Sequence, residues 1–454
     1  MFIMEKEYDV IIVGGGIIGT AVLYVLTEFT DIKNVLMIEK HKVGEGSSAS
    51  WSNSQTLHVG DIETNYGINK IIETRTASRL ILKYTDKFKQ KGVIAPVQKM
   101  VLGVGDEEVE TLSKRYDDKF ISLFPDINVV DKKDISKLEP YVVKKRDKNE
   151  KIIAAYSKNG HMVNFGMLSG SFVSFSIKNN DHLVIKLKEN VEDIEKITEG
   201  YSVKTNKGNY KGRFVIFASG GYSLYFAKKL GYGKDLSILS VAGNFYYSKN
   251  VIKGKVYRVQ KGGIPFAAVH ADADIADKKI TRYGPTVNIV PFLEHSDIKS
   301  TYKYIKAMGF DKSTVQSLIN ISEDKDIQHI IEKNLIYSIP DLGKYYFLKE
   351  EVNKIIPSLK YNDIKFYKNG GGIRPQIIDK KRKKLILGVV DLRGEGVEFS
   401  MAPSPGASSC IKEGLKYSLS AVEYLGKKFY KEKFIKMFCD NEEEYKILTS
   451  NRKH

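Results

Sequence analysis

At the N-terminal end of the chain the apolar pattern switches from strand to helix and back. Val10-Ile11-Ile12-Val13 is an apolar, β-branched run, as in a strand buried on both faces. From Ile17 to Thr27 the pattern is that of an amphipathic helix, and Val35-Leu36-Met37-Ile38 reads as a second buried strand. Gly14-Gly15-Gly16-Ile17-Ile18-Gly19 joins the first strand to the helix, and Glu39 closes the second strand. This is G-x-G-x-x-G in a strand–turn–helix–strand setting. Gly14 permits the tight turn, Gly16 lets a pyrophosphate approach the backbone, and Gly19 lets helix and strand pack closely. The helix N-terminus then faces the anion with its positive dipole end. Glu39 lies about 20 residues on, where a ribose-binding carboxylate belongs. An ordinary glycine-rich turn is the bland alternative, and the placed strand, helix and acid argue against it.

Downstream, Ile68, Ile71, Ile72, Leu80, Tyr84 and Phe88 recur at helical spacings. Leu138-Glu139-Pro140 ends a helix, because proline disfavours helix at the residue before it. Asn164 is placed to cap a helix running to about 177. Strands are expected at 182–185, 201–205, 214–218, 256–260 and 267–270, and helical stretches near 312–334, 345–356 and 409–426. Nucleotide-type segments thus recur at the start, middle and end of the chain, with two insertions between them. The expected fold is α/β: a Rossmann-like FAD-binding domain assembled from residues 1–92, 156–235 and 366–454, with a mixed α+β substrate domain from 93–155 and 236–365. Such interleaving suits a flavin fold better than a nicotinamide dehydrogenase, whose nucleotide domain is usually contiguous. A single G-x-G-x-x-G gives no support for a second nucleotide domain.

A chain of 454 residues exceeds what one hydrophobic core usually supports. No apolar run is long enough to span a membrane. The first strand begins almost at the N-terminus, which leaves no room for a signal or transit peptide, although Met4 is an alternative start. Two cysteines, Cys410 and Cys439, make no disulfide framework, which fits a reducing compartment. No C-x-x-C pair is present and no metal is expected. Lys+Arg outnumber Asp+Glu by 72 to 55, a net charge of +17. That excess fits either an anionic partner surface or general lysine enrichment. The runs Lys144-Lys145-Arg146 and Lys380-Lys381-Arg382-Lys383-Lys384 read first as solvated turns. No nucleic-acid-binding signature accompanies them.

Several residues are candidates for chemistry. Ser47, Ser48, Asn53, Ser54, Gln55 and Thr56 follow the second strand, where small polar side chains can bond a pyrophosphate and ring; a solvated serine-rich loop is the alternative. Gly406-Ala407-Ser408 precedes a helix whose N-terminal amides can stabilise negative charge on a reduced flavin, or it is a plain helix cap. His270, Asp272 and Asp274 share one face if their segment is extended, so a carboxylate can orient the imidazole as a general base needs. A structural histidine is the competing reading. Arg374, after three glycines and before Pro375, can grip a carboxylate with two parallel hydrogen bonds, and Arg282 is a second candidate. For both, a surface salt bridge is the alternative.

The chain resembles the malate:quinone oxidoreductases, within the FAD-dependent group that includes glycine oxidase and D-amino-acid oxidase, and most resembles their shorter epsilon-bacterial and apicomplexan form. The likeness rests on the fingerprint, Ser52-Asn53-Ser54-Gln55-Thr56-Leu57-His58, Asp61-Ile62-Glu63-Thr64-Asn65-Tyr66, Gly105-Asp106-Glu107-Glu108 and Met162-Val163-Asn164-Phe165. It continues through Pro265-Phe266-Ala267-Ala268-Val269-His270, Gly284-Pro285-Thr286, Arg374-Pro375-Gln376 and Ser404-Pro405-Gly406-Ala407-Ser408. Longer members carry Asn-Ala-Gly-Thr-Gly-His where this chain has Asn53-Ser54-Gln55-Thr56-Leu57-His58. The resemblance implies non-covalent FAD, oxidation of (S)-malate to oxaloacetate and electron delivery to a membrane quinone. A related 2-hydroxyacid dehydrogenase is the alternative. It further implies that Gly14, Gly16, Ile17, Ile18, Gly19, Glu39, Lys40, Val191, Ala218 and Gly220 contact the cofactor. His270 and Arg374, with Arg282 and His58, are then the catalytic candidates. The implied location is peripheral, on the cytoplasmic face of a bacterial inner membrane or in a mitochondrion. The lysine- and aromatic-rich stretch Lys427–Phe438 is the candidate interfacial helix, with a core-packed C-terminal helix as the alternative.

Overall fold

The computed structural model describes residues 7–45, 53–116, 118–260, 268–294, 297–386, 388–401 and 406–450. Ser47 and Ser48 lie outside them. The described residues form two sheets. The first has eight strands, ordered Val390–Gly394, Val397–Met401, Asn209–Phe217, Glu7–Val13, Val35–Glu39 and Val184–Leu187, with Val191–Lys196 and Tyr201–Thr205 attached beside Asn209–Phe217. Its centre is parallel: Val10 pairs with Val35 on one side and Phe214 on the other. Parallel central strands are covered on both faces, which explains the unbroken apolar runs. Val10 and Ile12 pack among helices Ile17–Phe29, Phe165–Asn179 and Cys410–Leu425, while Ile11 and Val13 face Leu224, Phe226 and Val203.

The second sheet has ten strands, running from Lys384–Ile386 through Lys365–Asp379, Leu236–Lys249, Ile280–Gly284, His270–Ala273, Lys255–Arg258, Ile94–Val104 and Ile152–Val163 to Asn128–Asp131. Asn288–Ile289 pairs beside Leu236–Lys249. The α/β class and the assembly of each sheet from separated segments match expectation. The expected boundaries need correction. Strand Ile152–Val163 crosses the break placed at 155, paired antiparallel with Ile94–Val104 along its length with one register shift between Val97 and Lys99. Lys365–Asp379 belongs to the second sheet, laddered along Leu236–Lys249 from Leu236↔Asp379 to Tyr247↔Lys365. The chain rejoins the first sheet at Val390–Gly394. The glycine-rich start of the segment expected in the FAD-binding domain, Gly370-Gly371-Gly372, therefore lies in the second sheet, because long-range pairing decides its place.

Helix Ile68–Phe88 is as expected, and Asn164 caps Phe165–Asn179, its Oδ1 accepting from Met167 N at 3.0 Å. The stretch expected as one helix near 312–334 is two, Lys312–Ser322 and Lys325–Tyr337. Asp324 breaks it by accepting from Asp326 N and Ile327 N and capping a new helix. The stretch near 345–356 changes from α (Leu342–Phe347) to π (Leu348–Val352). The C-terminal interfacial helix is also corrected. In Lys431–Phe438, Phe434 and Phe438 are fully buried, with ring centroids 5.1 and 5.8 Å from Phe29. Its apolar face packs on the core and is not free for lipid.

Candidate active site

A cleft opens at the carboxyl ends of the parallel strands, where ligands of open α/β sheets bind. The glycine turn forms one wall. Gly14 has φ +111°, and a Cβ there would stand 2.5 Å from the Ala218 carbonyl oxygen. A Cβ at Gly19 would stand 1.9 Å from Gly14 O, so only glycine lets helix and strand close up. Gly16 begins helix Ile17–Phe29 without a side-chain cap of its own, and Gly16, Ile17 and Ile18 bring that helix N-terminus to the cleft wall. Glu39 is buried at the end of its strand and accepts from Gly15 N (2.5 Å) and His41 N (2.6 Å). The fit to a dinucleotide rests on the helix N-terminus at the cleft wall, the glycine cradle and the carboxylate at the strand tip.

Of the expected cofactor residues, Gly14, Gly16, Ile17, Ile18, Glu39, Lys40, Asn53, Ser54, Thr56, Val191, Ala218, Gly220, Gly406, Ala407 and Ser408 line this cleft. The Lys40 ammonium is engaged by Glu294. Gly19 acts through packing. Gln55 (φ +54°) turns away, accepting from Ile275 N at 3.0 Å and donating to Asp274 at 3.3 Å. Ser408 Oγ accepts from His58 N at 3.0 Å and ties the Gly406–Ser409 turn to the 53–58 segment. Helix Cys410–Leu425 has no side-chain cap, so its first amides point back toward that turn.

Arg374 and His58 also line the cleft, and Arg374 is brought there by strand Lys365–Asp379. Among the described residues its guanidinium meets no carboxylate, and burial alone pulls its pKa down. His58 is anchored through Nδ1 by Glu63, a buried carboxylate. Burial would raise the Glu63 pKa, but the bond and charge of His58 bring it below the ordinary value. That bond fixes the ring and leaves Nε2 without a described partner.

His270 and Arg282 stand in the layer beneath the cleft. His270 is buried, with Nδ1 3.1 Å from Ala268 O and Nε2 3.1 Å from Asp272 Oδ2. Its ring stacks on Tyr257 (4.8 Å between centroids), and the Tyr257 hydroxyl bonds Thr56, which does line the cleft. Arg282 is committed to Asp274 (3.0 Å) and to the Asn53 carbonyl (3.2 Å). The expected face shared by His270, Asp272 and Asp274 therefore exists, but it holds a buried charge network. Lys255 completes it, 3.0 Å from Asp272 and donating to Ser54 O at 2.8 Å. Burial would raise the Asp272 pKa, yet His270, Lys255 and Arg282 hold it well below the carboxylate range. Burial pushes Lys255 down to about 8 against the pull of Asp272. Sequence reasoning missed Glu63 and Lys255. Glu63 lay in a motif given no role, and the signal for Lys255 was a lysine opening the apolar strand Lys255-Val256-Tyr257.

A family model for malate:quinone oxidoreductase matches residues 6–443. The chain belongs to the malate:quinone oxidoreductase family. A malate:quinone oxidoreductase of Helicobacter pylori is 38% identical over 451 residues, covering 97% of this chain and all of that one. A probable malate:quinone oxidoreductase of Campylobacter jejuni is 37% identical, covering 95% and 98%. The fold resembles that of L-α-glycerophosphate oxidase from Mycoplasma pneumoniae, solved with FAD bound (TM-score 0.65, 20% identity, covering 93% and 96%). It also resembles glycine oxidase from Geobacillus kaustophilus (TM-score 0.62, 15% identity, covering 90% and 93%).

Proposed function

We propose that this protein oxidises (S)-malate to oxaloacetate with a bound FAD and passes two electrons to a membrane quinone. The observation that carries this reading is Arg374: a cation without a counter-charge among the described residues, facing a cleft built for a dinucleotide, in a chain of this family. A buried cation needs an anion, and a substrate carboxylate supplies one in the two-pronged geometry a guanidinium favours. The cradle Gly14–Gly19, Glu39 and the Gly406–Ser408 turn hold the cofactor, which supplies the hydride acceptor.

His58 accepts the hydroxyl proton at Nε2, with Glu63 keeping the ring in the required tautomer and stabilising the imidazolium. The His270–Asp272–Lys255–Arg282 network holds the Asn53 and Ser54 carbonyls in the cleft wall, so those residues position rather than react. The ten-stranded sheet forms the substrate domain and carries Arg374. No helix among the described residues is long and apolar enough to cross a membrane. The protein meets its quinone as a peripheral protein.

The test is anaerobic bleaching of the flavin colour by a panel of 2-hydroxyacids. Malate is expected to bleach fastest. A colourless protein that stays so after reconstitution, or faster bleaching by a longer 2-hydroxy diacid, overturns the assignment.

A further inference from the structure

We propose that the face formed by residues 298–319 and the basic hairpin 380–384 is where this protein docks on an anionic lipid bilayer. The proposal rests on the quinone acceptor proposed above. Ile298, Phe310, Tyr302 and Ile305 are 79, 68, 65 and 51% exposed. Ile298, Tyr302 and Ile305 recur at four- and three-residue spacing, so they share one side of the turn Ile298–Ser300 and helix Thr301–Met308. The other side of that helix already buries Tyr304, Ala307 and Met308 in the core. In the next helix, Lys312–Ser322, Val315 and Ile319 are likewise exposed while Thr314, Ser317 and Ile321 are buried. A surface helix needs one apolar face to pack, and these two helices present a second.

Charge indicates what covers that face. Lysines at 299, 306 and 312 interleave with the apolar residues, Lys306 Nζ sits 5.6 Å over the Tyr302 ring, and Lys303 turns instead toward Tyr222 and Tyr225. Asp311 is the sole acid between 298 and 322, and it is paired with Lys380 at 2.7 Å. The same pair draws the hairpin Lys380-Lys381-Arg382-Lys383-Lys384 alongside, where Ser313 Oγ donates to Lys380 O at 3.4 Å. At its tip the Lys381 and Arg382 side chains are 78 and 84% exposed. Asp235 lies 3.2 Å from Lys381 and Asp379 lies 3.7 Å from Arg382, which leaves the cations in excess. A second copy docking face to face would set these cations against themselves. Anionic headgroups answer the lysines while tyrosine, phenylalanine and isoleucine enter the acyl boundary.

The experiment is flotation of the holoenzyme with vesicles of phosphatidylcholine, with and without phosphatidylglycerol. Wild type is expected to float with the anionic vesicles. Ile298→Ser/Tyr302→Ser/Ile305→Ser/Phe310→Ser is expected to weaken binding by about tenfold or more, and Lys381→Glu/Arg382→Glu to abolish the preference for phosphatidylglycerol. Both variants should keep wild-type malate-dependent reduction of a water-soluble dye, which shows that they are folded. Undiminished flotation of both variants overturns the proposal. So does a change of oligomeric state by light scattering with vesicle binding intact, which would assign the face to a second copy. Loss of malate turnover in the wild type would overturn the proposed function and not the docking face.

Discussion

Arg374 is a buried cation that no carboxylate among the described residues neutralises. Arg374→Ala is expected to lower kcat/KM for malate by about 2–5 kcal/mol in transition-state terms. Arg374→Lys should recover part of that loss, since an ammonium cannot make the two-pronged contact. Equal kinetics with alanine and arginine would remove the carboxylate assignment. The two histidines separate in the same way. His58→Gln should reduce kcat by about 10²–10⁴ with FAD retained, and His270→Gln by much less, because among the described residues His270 is linked to the cleft through Tyr257 and Thr56. The reverse ranking, read in dye-reduction assays, would return the base role to His270. Glu413 makes a pH prediction. Burial first, then repulsion from Asp391, raises its pKa from 4.5 to about 7 against Lys416 and Lys412. A folded-state value above the unfolded one gives stability that is complete below pH 4.5 and lost as pH rises through 7. Glu413→Gln should therefore melt higher than wild type at pH 8, by on the order of 1–3 kcal/mol, with the gap closing at pH 5. A gap independent of pH would refute this.

Among the elements, the helix Lys431–Phe438 shows how periodicity can mislead. Lysines interleaved with aromatics suit a lipid interface, but here the phenylalanines interlock with Phe29 while Lys433 pairs with Glu28 at 2.9 Å and Lys431 with Glu442. Phe434→Ala is expected to destabilise the fold by about 3–5 kcal/mol in urea melts and to leave vesicle binding unchanged. Lost flotation in a stable Phe434→Ala protein would reinstate this helix as the lipid contact. The helices that do expose apolar residues, Thr301–Met308 and Lys312–Ser322, gave no comparable signal. Their outer faces can be recognised only once their inner faces are seen to be packed.

Over the whole molecule, the cleft is walled by three stretches far apart in sequence: the fingerprint, the strand bearing Arg374 and the Gly406–Ser408 turn. A ligand that bridges them stabilises the native state by mass action, about 2.7 kcal/mol at a hundredfold excess over Kd. Adding FAD to the apoprotein should raise Tm in a concentration-dependent way, and an unresponsive Tm would count against the cofactor. The sequence by itself determined the nucleotide turn, because G-x-G-x-x-G, its flanking strands and Glu39 are local chemistry packed within one βαβ unit. It also determined the Asn164 cap and the α/β class, which follow from short-range spacing. Only the tertiary structure showed that His270 and Arg282 sit in a buried charge network, that Glu63 stands behind His58, and that 365–379 belongs to the second sheet. The placement of 365–379 and the contact of Arg282 with Asn53 depend on partners far away in sequence, set by the register of long-range strand pairing. The His58–Glu63 contact spans only five residues, but it forms in a loop with no periodicity to read, where packing against the rest of the chain sets the side-chain directions.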